Sequence, residues 1–88
     1  MPKIEYTITD PNGIHARPAG RIVSVAKRYT SEIHIYLPEK SKTADAKKLF
    51  AVMGLGVVQG NTVIIEAQGD DADAALQAIQ KEMQLAGL

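Results

Sequence analysis

The residues of this chain best suited to chemistry are His15 and Arg17, within the segment NGIHARPAG at residues 12–20. An imidazole nitrogen can attack phosphorus, and a guanidinium can neutralise charge on the oxygens of a phosphoryl group. Because Arg17 stands two residues after His15, a paired role suits it better than that of a solvated surface arginine. The segment therefore predicts a phosphoryl group carried covalently on the histidine ring.

The residues around His15 indicate the start of a helix. Gly13 permits an unusual backbone conformation, and Pro18 suits a first helical turn, where its missing N–H would have had no partner. The free amides of Ala16 and Arg17 and the positive end of the helix dipole disfavour the imidazolium form of the ring. The same amides can bind an anion.

Asn12 has two roles open to it. Its side chain can accept a hydrogen bond from the second ring nitrogen of His15, or it can form an Asx turn before the helix.

A single histidine in a small domain is most often a solvated or structural residue, so the functional interpretation of His15 depends on its neighbours. His34 stands on the polar side of a predicted strand, beside Glu32 and Tyr36, and is assigned to the surface.

The composition excludes several classes of protein. The 88 residues, of which 45% are apolar and 23% charged, indicate a single domain covering residues 1–88 that is too short for a deep, enclosed active site. Because there is no cysteine and there are only two histidines, neither a disulfide nor a metal site is expected. The glycine spacing in GLGVVQG fits no nucleotide-binding motif, and no cofactor is expected. No apolar run is long enough to span a membrane and no signal-peptide pattern is present, so we expect a cytoplasmic protein.

The net charge is zero, but the charge is unevenly distributed along the chain. Residues 14–50 carry eight Lys or Arg against three acids, whereas residues 51–88 carry one Lys against five acids. The excess of positive charge in residues 14–50 therefore predicts that this part of the protein binds an anionic partner. Nucleic acid usually requires a larger basic excess with interleaved aromatic residues, so no nucleic-acid binding is expected. The basic residues suit an acidic protein surface or a phosphoryl group better than nucleic acid.

Hydrophobic periodicity predicts the elements that position these residues. Apolar and polar residues alternate, as in half-buried strands, in KIEYTIT, EIHIYL and GNTVIIEAQ, with SKTAD as a weaker fourth strand. Apolar residues recur at helical spacing over residues 16–28, in KKLFAVMG and in DDADAALQAIQKEMQLAGL. Because the second face of each strand is polar, the helices should cover the sheet on one side only. The predicted fold is α+β, in the order β-α-β-β-α-β-α, with a four-stranded, mostly antiparallel sheet and three helices on one face.

The chain resembles the HPr family, the histidine-containing phosphocarriers of the sugar phosphotransferase system, in GIHARPA, in the element order and in LGVVQGNTVIIEAQGDD. The resemblance covers nearly the whole chain and implies an open-faced β-sandwich. It implies that Nδ1 of His15 accepts a phosphoryl group from enzyme I and passes it to enzyme IIA proteins or domains. Arg17 carries over as the residue that stabilises the phosphoryl group, and Ala16 and Asn12 complete the expected phosphate-binding set. A monomeric carrier is expected rather than a stand-alone enzyme.

The resemblance also implies a docking surface for partner proteins on the first helix and the short second helix. The expected docking residues are Gly20, Arg21, Lys48, Leu49, Phe50, Val52 and Met53. From the residues alone, Phe50 is either an ordinary core contact or an exposed anchor for a partner. Nearby cations are expected to attract an acidic partner; they are Arg21, Lys27, Lys47 and Lys48.

Lys48 is a departure from the family pattern, in which relatives usually carry a regulatory serine at the start of the short helix. A lysine is a poor helix cap, so we expect Asp45 to cap a slightly earlier start.

Two alternative functions share this fold. One is a nitrogen-branch phosphocarrier with the same chemistry, and the other is a regulatory protein-binding module, against which the intact HARPA segment argues.

Overall fold

The structure, a computed structural model, describes all of residues 1–88. Its strands are β1 (Lys3–Thr7), β2 (Glu32–Leu37), β3 (Lys42–Asp45) and β4 (Thr62–Gln68). Its helices are α1 (Ala16–Ala26), α2 (Leu49–Met53) and α3 (Ala72–Leu85). These elements follow the order β-α-β-β-α-β-α and confirm the predicted α+β fold class.

The four strands form one sheet in the order β1-β4-β2-β3, and every neighbouring pair is antiparallel. The long strand β4 lies at the centre of the fold and buries Val63, Ile65 and Ala67 on one face. In the register of the sheet, Ile65 stands opposite Ile4 of β1 and Ile35 of β2. The period-two alternation of the sequence therefore places one apolar row across three strands, as predicted.

The helices cover this row and complete a single core. The buried residues of α1 include Ala19, Ile22, Val23 and Ala26, which recur at the helical spacing noted for residues 16–28. Helix α3 buries Ala72, Ala75, Leu76, Ile79 and Met83. Helix α1 packs on α3, and α3 packs on β1 and β4. The start of α1 and the end of α3 therefore lie side by side. None of the helices combines the length and the apolar character that crossing a membrane requires.

Helix α2 starts later than the sequence predicted. Lys48 is its N-terminal flanking residue, with an extended backbone, and no side chain caps the helix. Asp45 instead accepts the backbone N–H of Lys47 at 2.9 Å through Oδ1, and its carbonyl oxygen accepts the N–H of Lys48 at 3.0 Å. The expectation that Asp45 caps α2 was wrong, because its carboxylate closes an Asx turn just before the helix.

A carboxylate clamp joins the start of α3 to the connection between α1 and β2. The two oxygens of Asp71 accept hydrogen bonds from the backbone N–H and the hydroxyl of both Thr30 and Ser31. These bonds, that from the Ser31 hydroxyl above all, lower the pKa of Asp71 to about 2. Gly69 lies against the same serine with a φ of +149°, where a Cβ atom would meet the Ser31 hydroxyl at 2.5 Å. The approach is therefore too close for any residue but glycine.

Candidate functional site

His15 is the residue that immediately precedes helix α1. Its backbone is extended, with φ −91° and ψ −174°, and its carbonyl oxygen accepts the first helical hydrogen bond from the N–H of Ala19 at 3.0 Å. The imidazole does not cap its own helix, and 43% of the side chain is exposed. The predicted helix start at His15 is confirmed, and its ring is open to an approaching group.

The loop before His15 is fixed from two directions. The N–H of Gly13 donates to the carbonyl oxygen of Asp10 at 2.9 Å, and the N–H of Ile14 donates to the carbonyl oxygen of Val57 at 3.2 Å. Gly13 has a φ of +64°, and a Cβ atom there would overlap the carbonyl oxygen of Val57. Only glycine satisfies both the backbone conformation and the close approach. Since Ile14 is itself buried in the core, the next residue, His15, has a fixed backbone.

The first turn of α1 presents two unpartnered hydrogen-bond donors. Neither the N–H of Ala16 nor that of Arg17 donates to any acceptor of the protein. Pro18 follows them, has no N–H and is buried, whereas Ala16 and Arg17 are exposed. Two amides at the positive end of a helix, next to an exposed histidine, form a site suited to an anion.

Asp10 orients the imidazole of His15. Its Oδ2 lies 3.4 Å from Nε2 of the ring, and its Oδ1 accepts the backbone N–H of Asn12 at 2.9 Å. Because a carboxylate can only accept, this contact favours the neutral tautomer that carries its proton on Nε2 and its lone pair on Nδ1. This arrangement agrees with Nδ1 as the attacking atom, a role that stays a prediction.

Both roles considered for Asn12 belong to Asp10 instead. Asp10 closes the Asx turn and contacts the ring, while the side chain of Asn12 is exposed and makes no hydrogen bond within the protein. The role of Asn12 in phosphate binding stays a prediction. Sequence reasoning missed Asp10, although an aspartate at the head of Asp-Pro-Asn-Gly is typical of an Asx turn.

An open depression surrounds the exposed ring. It is lined by Asp10, His15, Arg17, Pro18, Arg21, Leu85 and Ala86. The end of α3 forms one wall, and it is held in place because both the N–H and the hydroxyl of Thr9 donate to the carbonyl oxygen of Leu88, at 2.6 and 2.9 Å. Leu85, which sequence reasoning did not single out, is 65% exposed on this wall.

Two arginines line the depression and differ in their partners. Arg17 is exposed and makes no ion pair, whereas Nη2 of Arg21 contacts Oε2 of Glu82 on α3. The ion pair with Glu82 offsets the charge of Arg21 within the molecule, and the role of Arg21 in attracting and binding a partner protein stays a prediction. The pairing follows from the packing of α1 on α3, which no local pattern in the sequence reveals.

The lysines expected to attract a partner also divide into two groups. Nζ of Lys47 donates to the carbonyl oxygen of Tyr29 at 2.8 Å and so ties two loops together. Lys27 and Lys48 are exposed and have no ion-pair partner. The surface beside α1 and α2 therefore keeps an unpaired positive charge, although a smaller one than the sequence predicted.

The expected docking surface on α2 is partly exposed and partly core. Phe50 is 83% exposed, which excludes the core interpretation of this side chain. Val52 is completely buried, so its assignment to a partner contact was wrong: it anchors α2 on the core instead. Leu49 and Met53 are half-buried against the core, and Gly20 of α1 is also half-buried.

Comparisons with known proteins agree with this geometry. The family model described as "PTS HPr component phosphorylation site" matches residues 2–84. The "Phosphocarrier protein HPr" of Buchnera aphidicola subsp. Acyrthosiphon pisum is 41% identical over 73 residues, which are 83% of this chain and 84% of the relative. A solved structure of a histidine-containing phosphocarrier protein from Mycoplasma superposes with a TM-score of 0.94 at 37% identity, over 99% of this chain and 97% of the other. The HPr-C-His structure from Thermoanaerobacter tengcongensis gives a TM-score of 0.86 at 34% identity, over 96% of this chain and 92% of the other.

Proposed function

This chain belongs to the HPr family, the phosphocarriers of the phosphotransferase system, and from that membership we propose that His15 accepts a phosphoryl group from enzyme I and passes it to enzyme IIA proteins or domains. The observation that carries the proposal is an open depression lined by an exposed imidazole and an unpaired guanidinium, at a helix start whose first two amides have no acceptor. Each component matches one requirement of phosphoryl transfer to nitrogen.

In the transfer step, the lone pair on Nδ1 of His15 attacks the phosphorus of the donor. A new P–N bond forms while the bond between phosphorus and the donor's leaving atom breaks, and the donor keeps that electron pair. His15 keeps its proton on Nε2, so the phosphorylated ring carries a positive charge. The carboxylate of Asp10, 3.4 Å from Nε2, stabilises that charge. A positively charged ring is also a good leaving group, which suits release to the next acceptor.

The remaining groups act on the oxygens of the phosphoryl group. The amides of Ala16 and Arg17 donate to two of them, and the Arg17 guanidinium balances the charge that spreads over all three in the transition state. The depression is open, so donor and acceptor can approach in turn. The protein is therefore a carrier in the cytoplasm that needs no cofactor of its own and turns over only together with its partner proteins.

Partner proteins dock on the surface beside this depression. Phe50 supplies an exposed aromatic anchor, and Lys27 and Lys48 supply unpaired positive charges that favour an acidic partner. A regulatory binding module would not need an oriented nucleophile, so the contact between Asp10 and His15 favours the carrier.

Labelled phosphoenolpyruvate tests the proposal directly. The protein is incubated with enzyme I, magnesium and the label, and the expected product is an acid-labile phosphoryl group on His15. His15→Ala abolishes labelling, whereas the matched variant His34→Ala, which changes the only other histidine, retains it. Onward transfer of the label to an enzyme IIA domain completes the test. Absence of label from the wild type, or its retention in His15→Ala, contradicts the proposal.

A further inference from the structure

Arg21 lies on the wall of the depression that holds His15, but the proposed function uses only Arg17. The two arginines are separated by one helical turn, so their side chains project from the same face of α1, with about 5–6 Å between Cβ atoms. Side chains of a helix lean toward its N-terminus. The side chain of Arg21 accordingly lines the same depression as His15 and Arg17.

Glu82 on α3 holds Arg21 against this wall. Its Oε2 contacts Nη2 of the guanidinium, and the Glu82 side chain is only 20% exposed. A guanidinium has five N–H donors on three nitrogens, so the contact through Nη2 leaves Nη1 and Nε free for a second acceptor. Since α1 and α3 pack together, the carboxylate keeps the arginine at the depression instead of letting it extend into solvent.

We propose that Arg21 is a second phosphoryl-binding residue and that Glu82 is the residue that positions it, an inference that rests on the proposed phosphorylation of His15. A phosphoryl group brings a charge of about −2 near neutral pH, whereas Arg17 supplies a single positive charge. Arg21 is paired with Glu82, but its guanidinium brings further N–H donors to the same depression. With the amides of Ala16 and Arg17, the two guanidinium groups provide donors to all three phosphoryl oxygens.

The charged groups of the depression make this arrangement specific. Asp10 faces Nε2 of His15, on the opposite side of the ring from the nucleophilic Nδ1. Glu82 is paired with Arg21, so the pair adds N–H donors to the depression without adding a net charge. Arg17 has no ion pair. The phosphoryl group therefore meets two guanidinium groups on α1, one without an ion-pair partner and one held by a carboxylate.

Phosphorus NMR of the phosphorylated protein tests the role of Arg21. Phosphoramidate phosphorylates imidazole without a partner protein, and the signal of phosphorylated His15 is the one absent from His15→Ala. A nearby guanidinium favours the dianion, so Arg21→Gln is expected to raise the pKa of the phosphoryl group by about 0.5. The matched control Arg28→Gln removes the same charge from an exposed arginine that does not line the depression, and it should leave that pKa unchanged.

The substitution Glu82→Gln distinguishes two effects of Glu82 on the pKa of the phosphoryl group: positioning of Arg21, and the direct effect of its own negative charge. If Glu82 holds Arg21 in place, its replacement weakens the arginine contact and raises the pKa of the phosphoryl group. In the Arg21→Gln background the same replacement only removes a negative charge and should lower that pKa slightly. A lowering in both backgrounds would show that Glu82 acts through its charge alone.

An NMR measurement on the wild-type protein tests the same role without depending on whether any variant folds. The Nε–Hε signal of Arg21 should shift when His15 is phosphorylated, while that of Arg28 should not. An unchanged Arg21 signal, together with an unchanged phosphoryl pKa in Arg21→Gln, would overturn the inference and leave a structural ion pair between α1 and α3. If enzyme I fails to label the wild type while the chemically phosphorylated protein shows the dependence on Arg21, the proposed function is wrong and the second binding residue stands.

Discussion

Phe50 and Val52 provide a paired test of the docking surface, because they lie two residues apart on α2 and differ completely in exposure. Phe50 is 83% exposed and Val52 is fully buried. We predict that Phe50→Ala weakens the interaction with enzyme I while leaving the protein stable, and that Val52→Ala does the reverse. The two substitutions share a helix, so any general disturbance of α2 would appear in both.

The expected magnitudes follow from those exposures. Truncating a fully buried phenylalanine costs about 3–5 kcal/mol, but Phe50 has most of its surface in water, so Phe50→Ala should change the free energy of unfolding by no more than about 0.5 kcal/mol. Val52→Ala removes two methyl groups from the core and should cost about 2 kcal/mol. In a domain of this size, that loss lowers the melting temperature by about 10 °C. Thermal unfolding followed by circular dichroism measures both.

The interaction is measured by the rate of enzyme I-dependent phosphorylation at increasing concentrations of the carrier. Loss of an aromatic anchor at an interface typically costs more than 1 kcal/mol, so Phe50→Ala should raise KM about tenfold with little change in kcat. Val52→Ala, assayed well below its melting temperature, should keep a KM near that of the wild type. An unchanged KM in Phe50→Ala would refute the docking role, and a large fall in its melting temperature would contradict the observed exposure.

Three further predictions follow from other residues. Arg17→Ala should slow enzyme I-dependent labelling by at least about tenfold, because a charge-stabilising donor is lost, and should leave the free energy of unfolding within about 0.5 kcal/mol; normal labelling with a large loss of stability would instead make Arg17 structural. The hydrogen bonds that lower the pKa of Asp71 from 3.8 to about 2 stabilise the fold fully above pH 3.8, and that contribution is lost as the pH falls toward 2, because the unfolded chain takes up the proton first. Melting temperatures of the wild type and Asp71→Asn should therefore converge between pH 4 and about pH 2, and a constant difference would contradict the clamp. Treatment with an HPr kinase and ATP should leave the intact mass unchanged, because Lys48 offers no hydroxyl at the start of α2, and Lys48→Ser should become a substrate; a phosphoryl group added to the wild type at Ser41 or Thr43 would contradict this.

The elements of the fold could be predicted because their signals are local. Strands such as β4 alternate apolar and polar residues, and α1 carries its apolar stripe at helical spacing, so the inward positions follow from the sequence alone. His15, Gly13 and Pro18 form a continuous motif, so the helix start at the nucleophile followed as well. Helix α2 was less predictable because it has only five residues, too few for periodicity to separate the buried Val52 from its exposed neighbours.

The contacts within the site could not be predicted from the sequence, because they join side chains that only the folded chain brings together. Arg21 and Glu82 belong to helices at opposite ends of the sequence, and neither residue has a local pattern that indicates a partner. The carboxylate beside the ring was missed for a different reason. Asp10 belongs to a turn whose composition pointed equally to Asn12, and the choice between them depends on side-chain directions within the loop.

A carrier has to accept a phosphoryl group readily and also give it up readily, and the charges around His15 meet both requirements. Under the proposed function, Arg17 and Arg21 favour the bound phosphoryl group, whereas Asp10 and Glu82 bring an equal negative charge to the same surroundings. Stabilising the bound dianion more than the transition state of its transfer would raise the barrier to release, and the two carboxylates oppose that excess. Asp10 contacts Nε2 of the imidazole, so in the proposed phosphorylated state it would stabilise the cationic ring without occupying Nδ1. The balance of charge, in addition to the presence of a histidine, is therefore what suits this surface to reversible transfer.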